Sequence, residues 1–75
     1  MANHGRKQNF QLGEGRSITV DVRHAFPGVK TDILVKKIRG GHKIMVTAGV
    51  SFRDETTIGK IEEYPIDTPS VVIRL

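Results

Sequence analysis

The strongest constraint in this sequence is strict alternation of apolar and polar residues, in short stretches cut off by glycine or proline. Residues 17–23 place Ile18, Val20 and Val22 on one face and Thr19, Asp21 and Arg23 on the other. A period of two marks a strand with one buried face, and β-branched side chains suit a pleated backbone. Residues 42–49 repeat the pattern, with Ile44, Val46 and Ala48 set against Lys43, Met45 and Thr47. No ten-residue window carries the period of an amphipathic helix. The chain therefore reads as all-β.

The remaining pieces follow the same logic. Residues 32–38 form another strand, although the run Ile33, Leu34, Val35 blurs its alternation. Arg39, Gly40 and Gly41 come next, and glycine supplies the positive φ of a tight turn. An antiparallel hairpin of residues 32–38 with 42–49 is expected. Residues 51–56 are charged and read as a long loop. Residues 57–66 make a further strand with Ile58, Lys60, Glu62, Tyr64 and Ile66 on one face, and Pro65 near its end, where proline is tolerated. Residues 70–75 alternate once more. Residues 1–15 are polar and close on Gly13, Glu14 and Gly15; they read as a flexible N-terminal arm, with a sixth strand inside it as the alternative. Residues 16–75 are the domain.

Length and composition bound what such a fold can do. At roughly 100–200 residues per domain, 75 residues make one small domain. A chain this short buries only about 60 % of its unfolded surface, so its core is marginal. There is no cysteine, hence no disulfide framework and no thiolate metal site. The longest apolar runs are three residues, which excludes a helical membrane span. No apolar run follows the basic N-terminus as a secretory signal requires, so the cytosol is the expected compartment. The formal net charge of +4 is unevenly placed: +2 over residues 1–16, +4 over 17–49 and −2 over 50–75. Such asymmetry fits self-association as well as it fits nucleic acid.

Catalytic chemistry finds little footing. His4, His24 and His42 stand 20 and 18 residues apart, whereas zinc ligands cluster at spacings of about two to five residues. The expectation is no metal, and exposed histidines at strand ends. Glu62 and Glu63 are neighbours on a strand and so point to opposite faces. The glycine-rich stretches at 13–17 and 40–41 match no phosphate-binding loop and open no helix. The chain is expected not to be an enzyme and to need no cofactor. Lys36, Lys37, Arg39 and Lys43, with His42 beside them, form a basic hairpin that could meet phosphate. The aromatics Phe10, Phe26, Phe52 and Tyr64 are not interleaved with it, as a single-strand binder would want. Nucleic acid is the alternative, disfavoured reading; lysines on a strand edge also block aggregation.

The order of these pieces resembles a known family. The run Ser17-Ile18-Thr19-Val20-Asp21-Val22-Arg23-His24-Ala25-Phe26-Pro27 is similar to the strand and loop that open the α-crystallin domain of animal small heat-shock proteins. Pro27-Gly28-Val29-Lys30-Thr31-Asp32-Ile33 resembles the segment that follows there, one residue shorter. Ile44-Met45-Val46-Thr47-Ala48 sits where the family has Leu-x-Ile-x-Gly. Residues 61–69 are similar to the family's next strand and the proline turn after it. The likeness covers about residues 15–75.

The resemblance implies an immunoglobulin-like β-sandwich of the α-crystallin type, incomplete at its C-terminus because Leu75 precedes the family's last strand. It implies an ATP-independent holdase-type chaperone that binds partly unfolded client proteins and associates with itself as a dimer or larger oligomer, without a membrane partner. The implied client groove maps onto Ile33, Val35, Val71 and Ile73, residues that would serve equally well as core. The implied dimer strand maps onto Thr57, Ile58, Gly59, Lys60, Ile61, Glu62 and Glu63. Glu62 stands near the family's arginine, so a weaker or differently registered pairing is expected. A structural self-assembly module without chaperone activity is the remaining alternative.

Overall fold

The computed structural model describes residues 4–25, 28–49 and 58–75. They form six strands: β1 (His4–Gly13), β2 (Arg16–His24), β3 (Lys30–Ile38), β4 (Gly41–Gly49), β5 (Ile58–Pro65) and β6 (Ser70–Arg74). Two three-stranded sheets result, one in the order β1, β2, β6 and the other in the order β3, β4, β5. We call them sheet A and sheet B. All neighbours are antiparallel except β2 and β6, which run parallel after the chain crosses from sheet B back to sheet A beyond β5.

The alternation read in the sequence sets which face each sheet buries. Ile18, Val20 and Val22 of β2 join Val71 and Ile73 of β6, Ile33 of β3, and Ile44 and Val46 of β4 in one core between the sheets. Phe10, Leu12, Val35, Tyr64 and Leu75 pack around it, partly buried. The central strands β2 and β4 supply most of the fully buried side chains. At about 1.5–3 kcal/mol for each buried Val or Ile, this small cluster is the main stabilising term.

The expected hairpin forms, with Ile38 paired to Gly41 across Arg39 and Gly40. The two glycines there serve different ends. Gly40 takes the positive φ, at 79°. Gly41 is extended and close-packed, and a Cβ on it would run into the backbone carbonyl of Tyr64 on β5.

Most of the stretch read as a flexible arm is strand β1, which pairs with β2 from His4 opposite His24 to Gly13 opposite Arg16. Gly13, Glu14 and Gly15 do not end an arm. They turn a hairpin, with φ of 83°, 54° and 73° in succession. Only Phe10 and Leu12 give β1 an apolar inner face, so its order comes from the ladder to β2 rather than from its own periodicity. The expected loop at 51–56, together with Phe26, Pro27, Phe52 and Thr57, lies outside the described residues.

Candidate functional site

The inner face is spent on the core, and this decides the fate of the residues singled out in the sequence. Ile33, Val71 and Ile73 are buried, and Val35 packs partly buried against them. They come from β3 and β6, edge strands of different sheets. Ligand contact at these positions would require the sheets to part.

The basic hairpin divides as well. Lys36 and Lys43 lie directly opposite each other on the outer face of sheet B, with Glu63 next in the row. Lys37 shares the inner parity with His42, its cross-strand partner, and Arg39 sits in the turn. The four cations therefore do not line one surface. Glu62 and Glu63 diverge as the pleat requires: Glu62 lies opposite Ile44, Glu63 opposite Lys43.

The histidines overturn one expectation. His24 and His42 are buried, not exposed. The parity explains it, because His24 continues the inward row of Ile18, Val20 and Val22, and His42 precedes that of Ile44, Val46 and Ala48. His24 sits at the junction of the sheets, its Nε2 2.9 Å from Thr31 Oγ1. The ring of His4 stacks on it with centroids 6.2 Å apart, and Arg6 Nη1 donates to the Thr31 carbonyl at 3.2 Å. These contacts tie β1 and β2 to β3 along one side of the sandwich. Among the described residues no three histidine or carboxylate side chains converge as a metal site would need.

On β5, Lys60 Nζ lies 3.1 Å from Glu62 Oε1, and the Tyr64 hydroxyl donates a short hydrogen bond to Glu62 Oε2. Both contacts favour the carboxylate, the Tyr64 bond most, and hold Glu62 below its ordinary range. Tyr64 responds in the opposite sense. Burial, then the bond to Glu62, push its phenol up to about 12.

What remains is an apolar row where a solvent-facing sheet should be polar. The registers β3 to β4 and β4 to β5 bring Leu34, Met45 and Ile61 side by side across the outer face of sheet B. Leu34 is 50 % exposed and Ile61 63 % exposed. Gly59, one outward position along β5, leaves a shallow apolar depression beside Met45, Thr47 and Ile61. Lys36, Lys43 and Glu63 rim it on one side, Asp32 and Thr47 on the other.

Sequence reading missed Leu34 and Met45, although a signal was present. In the runs Ile33, Leu34, Val35 and Ile44, Met45, Val46, the middle residue of three apolar neighbours must face away from the core. That these outward residues form one row depends on register, which no single strand states.

No helix among the described residues is long and apolar enough to cross a membrane. No protein-family model matches the chain, and no curated protein or solved structure matches it.

Proposed function

We propose that this chain is an ATP-independent, holdase-type polypeptide-binding module working in the cytosol. It holds apolar segments of partly unfolded proteins on the outer face of sheet B. The observation that carries this reading is the outward-facing row of Leu34, Met45 and Ile61, exposed at both ends and half-buried at Met45. An apolar row rimmed by charge suits a protein-binding surface. The likeness of the sequence to the α-crystallin domain supports the same activity and an α-crystallin-type sandwich. The client surface is then the exposed row rather than Ile33, Val35, Val71 and Ile73, which hold the sheets together.

The mechanism needs no catalytic group. A client's apolar side chains displace water from the row, and its extended backbone pairs with an open strand edge. Lys36, Lys43 and Glu63 keep the empty surface hydrated.

Light scattering from a heat-denatured client protein, with and without this chain, tests the reading. Suppression of aggregation that survives about 0.5 M salt, where exposed charges are screened, is expected. Loss of suppression when Leu34 and Ile61 are both changed to serine locates it. Absence of suppression in the parent chain, with affinity for single-stranded nucleic acid that falls steeply with salt, would replace this reading with the basic-hairpin alternative.

A further inference from the structure

We infer that Lys7, Arg23 and Arg74 form a binding site for a phosphate dianion, free or as a small phosphomonoester, at one end of sheet A. The site stands apart from the function proposed above and uses none of the apolar row on sheet B.

Register brings these cations together. Gly5 of β1, Arg23 of β2 and Arg74 of β6 stand in one row on the outer face, and Lys7, Asp21 and Val72 form the next. Arg23 and Arg74 are therefore direct cross-strand neighbours, and like charges directly opposite destabilise a strand pair. Lys7 lies on the diagonal from Arg23, within reach for long side chains. The basic hairpin of sheet B spreads its cations over two faces and a turn; here three share one face.

One carboxylate, Asp21, stands among the three. It accepts from Arg23 Nε at 3.2 Å and Nη2 at 2.9 Å, both on Oδ2. Among the described residues Lys7 and Arg74 have no carboxylate within salt-bridge distance. The Asp21 carboxyl feels all three cations: the Arg23 hydrogen bond lowers it most, burial opposes, and the charges of Arg23, Lys7 and Arg74 lower it further.

Three cations less one carboxylate leave a side-chain charge of +2. A phosphomonoester carries about −1.5 to −2 at pH 7 and offers three strong acceptor oxygens, so the charges match. Asp21 engages two of the five N–H donors of Arg23 and so positions its guanidinium without using it up. Arg74 brings a second planar fork of the kind that suits phosphate, and Lys7 a mobile point charge. Gly5 keeps the third place in the arginine row bare. Its φ is 147°, and a Cβ there would run into the Val22 carbonyl oxygen. An open cleft of about 460 Å³ lies there, with Gly5, Lys7, Asp21 and Arg23 on its wall. A smaller one of about 220 Å³ adjoins Arg23 and Arg74. The neutral row of Asn9, Thr19 and Ser70 lies beyond, so the patch suits one phosphate group and gives no track for a longer polyanion.

Titration of the isotope-labelled chain with inorganic phosphate at constant ionic strength, followed through amide chemical shifts, tests the site. Saturable shifts centred on Gly5, Arg23 and Arg74 are expected, and a nucleoside monophosphate should move the same amides. Tighter binding of the nucleotide would mark an esterified ligand, and equal binding the phosphate group alone. Dimethyl phosphate, a diester with a single charge, should bind several times more weakly. Lys7→Gln and Arg74→Gln should each weaken phosphate binding about tenfold, the worth of one charge-assisted contact. Lys36→Gln and Lys43→Gln on sheet B should leave it unchanged. Lys7 and Arg74 are exposed, so thermal melts of their variants without phosphate should match the parent, or rise for Arg74→Gln as the opposed charges are relieved. Shifts that grow linearly with phosphate and follow every lysine overturn the inference. So does binding indifferent to Lys7→Gln and Arg74→Gln, or equal affinity for the diester.

Discussion

The two sheets present opposite kinds of outer face. Across the middle of sheet A run Lys7, Asp21 and Val72, flanked by the row Asn9, Thr19 and Ser70. Asn9 Nδ2 donates to Thr19 Oγ1 at 3.0 Å, and Arg23 holds Asp21 at 2.9 Å. Across the middle of sheet B run Leu34, Met45 and Ile61. Both sheets bury the same kind of β-branched inner face, so core formation does not account for the difference. A solvent-facing antiparallel sheet gains nothing from apolar residues outside, and such a row is retained at a cost in solubility. In these middle rows, sheet A shows what this fold needs for stability; sheet B shows what it carries beyond that need.

The division between faces can be broken most sharply at adjacent residues. Ile44→Ala empties the core and should cost about 2–5 kcal/mol, enough to unfold much of a domain this small. Met45→Ala, one residue along and facing out, should cost far less. Urea denaturation of the two variants measures both, and equal costs would dissolve the distinction between inner and outer face.

A second comparison sets the sheets against each other. Leu34→Ser combined with Ile61→Ser should abolish client protection while moving stability by no more than about 0.5 kcal/mol for each substitution. Val72 is 51 % exposed but stands alone among polar neighbours on sheet A. Val72→Ser should leave both stability and protection unchanged.

Titration sharpens the contrast further. Because folding raises the Tyr64 phenol from 10.0 to about 12, its contribution to stability is complete below pH 10.0 and is lost as pH rises toward about 12. Thermal melts across that window should fall for the parent chain and fall less for Tyr64→Phe. On sheet A the Arg23 hydrogen bond holds Asp21 below its ordinary value of 3.8. Its contribution is present above that pH and fades as pH drops through the depressed value. Asp21→Asn should therefore flatten the acid limb slightly, the smallest effect of the set, since the pair is partly exposed.

Much of the fold was legible because strand alternation is written residue by residue. The hairpin at Arg39 and Gly40, the strand containing Lys60 and Glu62, and the final strand with Val71 and Ile73 all lie where the pattern put them. The polar stretch at His4–Gly13 was legible only as an alternative, since two apolar side chains are too few to announce a strand. The buried histidines were legible in parity and were missed because histidine at a strand end usually faces water. The outer apolar row was half legible. Ile61 stood among the dimer-strand candidates, while Leu34 and Met45 needed register to acquire meaning.

By itself, the sequence determined that the chain is all-β and which side of most strands turns inward, because the pleat sends successive side chains to opposite faces whatever the strand's neighbours are. Only the tertiary structure decided that β6 returns beside β2, that β3 is tied to sheet A through Thr31, and that β5 is an edge strand of sheet B among the described residues. It alone brought Leu34, Met45 and Ile61 into one row. Those outcomes depend on pairing between segments far apart in the chain and on packing two sheets over a single small core. Such pairings are fixed by the sum of many long-range contacts, and no local pattern records them.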